Sequence, residues 1–390
     1  MKLQALLVSL AAVPLSAAYF PTANYRRDTD TCKIPLASSN GGRKVAIALD
    51  SSGSMEGNDP DNLRVTAGTA LNGQLVSSAE ASGGKSADLV TVVDFDSSAT
   101  VIYPLGDPAK ADSSFSEIDS SGGTWIADGV TKGVEELTKS GHGTTKDRSG
   151  IVVLTDGEDS DVESLIDEIN KAGSLGIRVS FGFLAPPDSF HEPTLLQAIL
   201  QTGGTYMSFD QAENIQPWLY LLLGNGITAL DKTSSTAQPL LSSITIAKLS
   251  GSGDVTFSYS ASAGEKLVFT VTSLSEQDLA VKLSHENGDL VAKNSTPSGN
   301  EPAVLSVKTT KAETLKVVVS SATSEEGIFQ ISVNSSLGIS GCTLDKSNPQ
   351  NGSVPTPTPT PSVPPLTGGA SKIVSYGMPI IMVALSLVLL

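Results

Sequence analysis

Apolar residues follow two different spacings along this chain, and the change falls between residues 226 and 240. In the first part, short continuous apolar runs alternate with segments whose apolar residues recur every three to four positions, as Val162, Leu165 and Ile169 do. A continuous run is typical of a strand buried on both faces, and the longer spacing is typical of an amphipathic helix. The predicted strands are residues 45–49, 89–95, 151–154, 177–183 and, with a weaker pattern, 205–209.

The alternation of strands and helices over residues 44–225 predicts an α/β domain with a doubly wound, Rossmann-like and mostly parallel sheet. A second predicted helix carries Leu63, Ala67 and Leu71 on one face. Ligands of such sheets bind beyond the carboxyl ends of the strands. That edge is therefore where we expect a functional site.

A period of two takes over in residues 241–342. Apolar residues alternate with polar ones in five segments, and turn sequences such as 262–264 and 286–289 fall between them. This pattern predicts an antiparallel, all-β sandwich domain that follows a linker at residues 226–240. The order of its strands and the turn Gly288-Asp-Leu-Val-Ala292 resemble those of pre-peptidase C-terminal-like sandwiches.

Residues 1–18 have the three parts of a secretory signal peptide: a basic start at Lys2, an apolar run, and small residues at 16–18. The alternative is a buried N-terminal helix. In the flank at residues 19–43, the pair Arg26-Arg27 resembles a processing site for a furin- or kexin-like protease. An exposed, solvated pair explains these two arginines equally well.

Residues 343–368 are predicted to form a stalk, because proline at nearly every second position of residues 352–365 favours polyproline II structure. Residues 369–390 have the small residues, polar spacer and apolar terminus of a removable glycosylphosphatidylinositol (GPI) anchor signal. Gly368 is the candidate attachment residue, with Gly369 or Ser371 as alternatives. A tail-anchored helix is the other interpretation, but the apolar terminus is shorter than the about 20 residues that a membrane span needs.

Charge and composition narrow the classes of partner. The chain has 25 Lys and Arg against 41 Asp and Glu, a net charge of −16. We therefore expect no nucleic-acid binding, and contact with a membrane only through the lipid anchor. Two cysteines are too few for a four-cysteine zinc site or a disulfide-dense scaffold.

Cys32 and Cys342 lie at opposite ends of the two predicted domains. In the oxidising compartment that a signal peptide implies, we expect them to form a disulfide. Two free thiols or a disulfide-linked dimer are the alternatives. Sequons for N-glycosylation begin at Asn294, Asn334 and Asn351, all in the C-terminal half of the chain.

Polar residues stand at the ends of two predicted strands and in one loop between them. Asp50 ends the first strand and is followed by Ser52 and Ser54, Asp156 follows a later strand, and Thr124 precedes a helix. Two carboxylates and three hydroxyls form an all-oxygen donor set. Such a set suits Mg²⁺, our first choice, or Mn²⁺ or Ca²⁺. The sequence therefore predicts a divalent-cation site at the carboxyl edge of the sheet.

The alternative interpretation is that Asp50, Ser52 and Thr124 only cap helices and form turns, as Asp and Ser often do. Five such residues in register at one edge favour the metal site over this alternative. Two apolar neighbours, Met55 and Trp125, are expected to pack in the core, and packing at the rim of the site is the alternative.

The pattern Asp50-x-Ser52-x-Ser54, with Thr124 and Asp156 in later loops, resembles the complete metal-ion-dependent adhesion site of von Willebrand factor A domains. The resemblance covers about residues 40–225. It implies that the three hydroxyls bind the cation directly and that the two carboxylates act mainly through water. It also implies an open coordination position that an acidic side chain of a protein or other macromolecular partner fills.

The resemblance implies a cation-dependent adhesion or ligand-binding protein, and the signal peptide and anchor signal predict that it is secreted and held at the cell surface. We expect that it is not an enzyme. The stalk, dibasic pair and anchor signal together resemble those of fungal GPI-anchored surface proteins. A structural wall or coat protein, whose metal only stabilises loops, is the alternative. A metal-dependent hydrolase is a weaker one, because the chain contains no Gly-x-Ser-x-Gly or His-Glu-x-x-His motif.

Overall fold

A computed structural model describes the chain over most of its two predicted domains. The described residues are 33–34, 41–82, 85–157, 159–186, 189–231, 237–242, 244–251, 253–296, 301–321, 326–337 and 343–344. All of them belong to one compact unit.

The first domain alternates strands and helices as its sequence predicts. After a short strand β1 at Lys33–Ile34, its strands are β2 Lys44–Asp50, β3 Leu89–Phe95, β4 Ala99–Gly106, β5 Ser149–Thr155, β6 Ile177–Phe183 and β7 Tyr206–Ser208. Its α-helices are α1 Met55–Asn58, α2 Leu63–Asn72, α3 Ile126–Thr138, α4 Val162–Ser174, α5 Pro193–Gln201 and α6 Ile215–Asn225.

These strands form one six-stranded sheet in the order β4-β3-β2-β5-β6-β7. Every neighbouring pair is parallel except β3 with β4. The predicted doubly wound sheet is therefore confirmed. The antiparallel edge strand β4 was not predicted, because half of its residues are only partly buried and its apolar run is broken.

Two apolar cores cover the two faces of this sheet. Strand β2 serves both, since Ala46 and Ala48 face one core while Val45, Ile47 and Leu49 face the other. Helices α3, α4 and α5 contribute to the first core, and helices α2 and α6 contribute to the second. Burial on both faces explains why the central strands are continuous apolar runs in the sequence.

The second domain is an antiparallel sandwich, as predicted. Its strands are β8 Gln238–Pro239, β9 Thr245–Ser250, β10 Val255–Ala261, β11 Lys266–Ser273, β12 Leu279–His285, β13 Leu290–Thr296, β14 Ala303–Lys308, β15 Glu313–Ser321 and β16 Gly327–Ser335. They form one sheet in the order β13-β12-β15-β10-β8 and another in the order β14-β11-β16-β9. The short β8, inside the segment predicted as a linker, pairs with β10 in parallel.

The predicted turns of the sandwich contain glycines in the left-handed region. Gly264 has a φ of 78° and Gly288 a φ of 93°, a backbone conformation that other residues rarely adopt. Strands β9, β13 and β14 were not predicted. Exposed or half-buried residues dominate β13, so its sequence lacks the clear alternation that marks the other strands.

Side chains from both domains share cores where the domains meet. Leu221 of helix α6 is buried in the apolar core of the sandwich, while Ala247 and Ile328 of the sandwich belong to a core of the first domain. Across the same contact, Gln201 Nε2 donates to Glu326 Oε2 at 3.1 Å. The last helix of the first domain is therefore fixed by packing on both sides.

A lysine is partly buried at this contact. Lys248 Nζ donates to Asn225 Oδ1 at 3.3 Å. Burial, and secondarily the charge of Arg178, lowers the pKa of Lys248 to about 8. Because the unfolded value is about 10.4, protonated Lys248 opposes folding, and this cost is fully present below pH 8.

We expect Lys248→Met to raise the free energy of unfolding at pH 7 by roughly 2 kcal/mol. Removing the buried charge should add about 3 kcal/mol to the free energy of unfolding, and losing the hydrogen bond should subtract about 1 kcal/mol from it. In the parent, the free energy of unfolding should rise with pH between about 8 and 10.4, where only the unfolded chain keeps this proton. Urea denaturation at pH 7 and pH 10 measures both effects.

Lys266→Met is the matched control, because Lys266 is exposed in the same domain. It should leave the free energy of unfolding at pH 7 unchanged and keep the rise at high pH. Equal stability of the parent and Lys248→Met at pH 7 would contradict the expected cost of the buried charge.

Candidate metal site at the carboxyl edge of the sheet

The candidate site begins at the last residue of β2. Asp50 is fully buried, and both of its carboxylate oxygens are occupied. Oδ1 accepts from Ser52 N at 2.7 Å, and Oδ2 accepts from Thr155 Oγ1 at 2.6 Å. Burial raises the pKa of Asp50, and the hydrogen bonds from Ser52 and Thr155 act in the opposite direction.

Three further oxygens from two loops converge beside Asp50. Ser52 Oγ and Ser54 Oγ are 3.0 Å apart, and Ser54 Oγ donates to Asp156 Oδ1 at 3.1 Å. The loops meet because β2 and β5 are adjacent and in parallel register, with Leu49 opposite Leu154. The structure thus brings four of the five predicted residues into one chain of contacts.

The fifth residue, Thr124, lies in a loop that is bound to the other two. Gly53 N donates to Gly122 O at 3.2 Å, which joins this loop to the one that follows β2. Thr124 O accepts from Ser160 N at 3.1 Å and from Ser160 Oγ at 2.8 Å, which joins it to the loop that follows β5. Thr124 therefore stands at the junction of all three loops.

A buried arginine holds two of these loops in place. Arg64, in the first turn of α2, is fully buried and forms an ion pair with Asp59 at 2.8 Å. Its other terminal nitrogen donates to Asp119 O at 2.7 Å and to Ser120 Oγ at 3.0 Å. One side chain thus bridges the loop after β2 and the loop that carries Thr124.

Two residues of the site were missed by the sequence analysis. Thr155 orients Asp50, and Asn58 Nδ2 donates to Asp156 Oδ2 at 2.9 Å. Thr155 directly precedes Asp156, and Asn58 lies four residues after Ser54. Neither residue occupies a position of the Asp50-x-Ser52-x-Ser54 pattern. The signal that could have identified Thr155 is a hydroxyl at the end of a buried apolar run, next to Asp156.

The competing interpretation, helix caps and turns, holds for the acidic neighbours of the motif. Asp59 accepts from Leu63 N at 2.6 Å, Asp159 from Ala127 N at 2.5 Å, and Asp161 from Ser164 N at 3.1 Å. In contrast, the side chain of Ser54 makes no capping bond to α1, although it precedes that helix. Its hydroxyl faces Ser52 and Asp156 instead.

The two apolar neighbours behave differently from each other. Met55 is buried, as expected. The expectation that Trp125 packs in the core is wrong, because its side chain is 52% exposed. Trp125 N donates to Asp96 O at 2.8 Å, which fixes the backbone at the start of α3 and leaves the indole at the surface directly after Thr124.

The loops at the carboxyl edge of the sheet contain acidic residues but no basic ones. The loops that follow the strands or precede α3 on this side are residues 51–62, 96–98, 118–125, 156–161, 184–192 and 209–214. Their sequences contain 13 Asp and Glu and no Lys or Arg. Since Arg64 is buried and paired, the loops present a field that attracts cations and repels polyanions.

The residues fit a divalent cation by their chemistry. Hydroxyl and carboxylate oxygens are the donors that hard cations prefer. Among the described residues, three or more His, Cys, Asp or Glu side chains nowhere gather in an arrangement that could hold a metal. This does not conflict with the candidate site, whose donor set is mostly hydroxyl.

The remaining predicted site residues lie in the second domain or outside the described residues. Asn294 and Asn334 are exposed on β13 and β16, whereas Cys32, Cys342, Asn351 and Gly368 lie outside the described residues. Over the described ranges, no helix combines the length and apolar character that crossing a membrane requires.

Comparison with known proteins addresses the first domain. The profile of the von Willebrand factor type A domain matches residues 44–217. Calcium-activated chloride channel regulator 1 of Equus caballus is 33% identical over 196 residues, which are 48% of this chain and 20% of that protein. This chain thus spans about a fifth of that relative's length.

Two solved structures are similar at lower identity. Proximal thread matrix protein 1 from the mussel byssus, with a zinc-occupied MIDAS motif, is 18% identical with a TM-score of 0.37, over 49% of this chain and 47% of that chain. The pre-peptidase C-terminal domain of a Bacillus anthracis collagenase is 13% identical with a TM-score of 0.23, over 27% of this chain and 100% of that chain. The pre-peptidase resemblance of the sandwich stays a prediction.

The profile match, the sheet order and the helices on both faces agree with one another. Residues 44–217 are therefore a von Willebrand factor type A domain, followed in this chain by a separate all-β domain.

Proposed function

We propose that this protein is a cell-surface, divalent-cation-dependent adhesion or ligand-binding protein. The cation is held at the carboxyl edge of β2 and β5, and a carboxylate of a macromolecular partner completes its coordination. The observation that carries this proposal is the convergence of Ser52 Oγ, Ser54 Oγ and Asp156 Oδ1, at 3.0 and 3.1 Å, on an edge that is open to solvent.

The donor set favours Mg²⁺ as the first choice, with Mn²⁺ next. Mg²⁺ gives up its waters reluctantly and usually keeps several of them when bound. This behaviour suits a site in which both carboxylates act mainly through water.

The division of roles follows from burial and hydrogen bonding. Ser52, Ser54 and Thr124 supply neutral hydroxyls, so they leave the charge of the bound cation largely uncompensated. Asp50 is buried with both oxygens occupied by protein donors, which suits a carboxylate that acts through Ser52 and through water. A cation with few direct carboxylates remains a strong acceptor for a carboxylate of the partner.

The surroundings of the site restrict the partner. An acidic edge without Lys or Arg disfavours a polyanion at long range, so the partner's carboxylate should lie among neutral or basic residues. Trp125, half exposed next to Thr124, offers an aromatic surface to the residues beside that carboxylate. Aromatic side chains in such positions often dominate binding energy.

Surface attachment is also part of the proposal. The signal peptide, stalk and anchor signal place the two domains outside the cell on a lipid anchor. In the structure, β1 pairs in parallel with β17 at Thr343–Leu344, and Lys33 and Thr343 each directly follow a cysteine in the sequence. This register supports a disulfide between Cys32 and Cys342. The exposure of Asn294 and Asn334 supports N-glycosylation at these positions.

The alternatives predict different behaviour. In a structural wall or coat protein the metal would stabilise the loops without binding a partner. A metal-dependent hydrolase would turn over a substrate. Binding of a carboxylate ligand only in the presence of metal separates the proposed function from the first alternative, and the absence of turnover separates it from the second.

We expect Mg²⁺ or Mn²⁺ to bind the parent protein at one saturable site by titration calorimetry. The double variant Ser52→Ala/Ser54→Ala should lose this binding, because two direct hydroxyl ligands are removed. Ser121→Ala should bind as the parent does, since its hydroxyl makes only a 3.4 Å contact with Asp119. A folded parent that binds neither cation would refute the proposed metal site.

Thr155→Val should weaken Mg²⁺ binding by about 10- to 100-fold, the range seen when partners of metal ligands are removed. The change deletes the donor to Asp50 Oδ2 but keeps the shape of the side chain. Thr155→Ser should retain most of the affinity, because it keeps the hydroxyl. If the valine and serine variants bind Mg²⁺ equally, Thr155 does not orient the site.

Selection from a random peptide library in Mg²⁺ should enrich peptides with an Asp or Glu among neutral or basic residues. Replacing that residue with Asn or Gln, or adding EDTA, should abolish binding. Trp125→Ala should weaken the selected peptides about tenfold or more and leave Mg²⁺ titration unchanged. Leu290→Ala, at an exposed residue of the sandwich, is the control. Enrichment of peptides that lack a carboxylate would contradict the proposed recognition.

A further inference from the structure

A cleft lies where the carboxyl ends of β6 and β7 meet strands β9 and β16 of the sandwich. It is open to solvent, and about 600 Å³ of space lies within it and its open mouth together. Residues of both domains line it. In the sheet order it lies beyond β5, on the side away from β3, so it is separate from the metal site at β2 and β5.

The lining of this cleft is polar but contains no Asp, Glu, Lys or Arg among the described residues. This is a local departure from the acidic loops of the same edge. An anionic ligand would find no counter-charge there and would lose its hydration without compensation. The lining therefore favours a neutral ligand over an anionic one.

The inner wall of the cleft is held rigidly by contacts within the protein. The ring of His191 stacks on Phe183 with centroids 4.0 Å apart, and its Nε2 is 2.8 Å from Ser208 Oγ. Gln330 Nε2 of the sandwich donates to the hydroxyl oxygen of buried Tyr206 at 3.2 Å. These contacts fix polar groups of both domains and aromatic surface of the first domain in one place.

The remaining polar groups of the lining are available for a ligand. Within the described part of the chain, the side chains of Ser189, Asn214 and Thr245 take part in no hydrogen bond with protein atoms, although all three line the cleft. Phe190, between two lining residues, is 78% exposed. A large apolar side chain with this exposure gives a ligand a ring to pack against.

We propose that this cleft binds a neutral saccharide. A sugar offers hydroxyls that both donate and accept, which matches the two hydroxyls and the amide of the lining. Its C–H faces pack on aromatic rings, and it needs no counter-charge. The inference is independent of the proposed metal-dependent function, since none of the lining residues belongs to the metal site.

The test is titration calorimetry of the full protein in EDTA with four neutral disaccharides: cellobiose, maltose, α-1,6-mannobiose and N,N′-diacetylchitobiose. At least one should bind with one-to-one stoichiometry. Galacturonic acid is the anionic comparison and should not bind. The double variant Asn214→Ala/Thr245→Ala should weaken binding about tenfold or more, because it removes two sets of hydrogen bonds.

Thr100→Ala is the matched control, since Thr100 is an exposed threonine on β4, at the far edge of the sheet. It should bind as the parent does. The proposal is overturned if no neutral disaccharide binds, if galacturonic acid binds more tightly, or if the Asn214/Thr245 variant keeps full affinity. Because EDTA is present throughout, a failure of the metal site leaves this result unaffected.

Discussion

The parallel, in-register pairing of β2 with β5 is the constraint on which the candidate site depends. These strands are far apart in sequence, but their pairing places Asp50 and Asp156 at neighbouring strand ends. Each strand ends in a loop that folds back to begin a helix, so the hydroxyl of Ser54 reaches the carboxylate of Asp156 in the other loop and also lies beside the hydroxyl of Ser52. A one-residue shift in register would separate these oxygens and would also turn every side chain of the shifted strand toward the opposite core.

The site then depends on buried groups that never touch a ligand. Asp50 stays in a fully buried position because Ser52 N and Thr155 Oγ1 replace its lost hydration. The guanidinium of Arg64 likewise replaces the lost hydration of Asp59. Arg64 also joins the loop that carries Thr124 to the loop that follows Asp50. These contacts fix the hydroxyls before any cation arrives, and prior fixation reduces the ordering that binding would otherwise require.

The sandwich follows the first domain in the sequence and also packs against its last helix. Helix α6 buries Trp218 and Leu222 in its own domain and Leu221 in the sandwich. The contact has a partly buried lysine, Lys248, whose desolvation opposes folding. It also leaves a polar cleft between the domains. A contact selected for stability alone would exclude such a charge and fill such a space.

The sequence alone predicted the fold class of both domains and the five candidate residues of the metal site. Continuous apolar runs identified the strands buried on two faces, and alternation identified the strands of the sandwich, because burial imposes these periods directly on the residues. The spacing of Asp50, Ser52 and Ser54 carried enough local information to predict a metal site, and the structure brings Ser54 and Asp156 together.

Only the tertiary structure decided which neighbours support the site and which are exposed. Thr155, Asn58 and Arg64 act through contacts between residues up to 105 positions apart, and no local period records such contacts. Trp125 is apolar, so its sequence predicts burial, but its backbone bond to Asp96 O places the ring at the surface. The cleft between the domains could not be predicted from the sequence either. Its walls come from segments whose proximity depends on how the two domains pack.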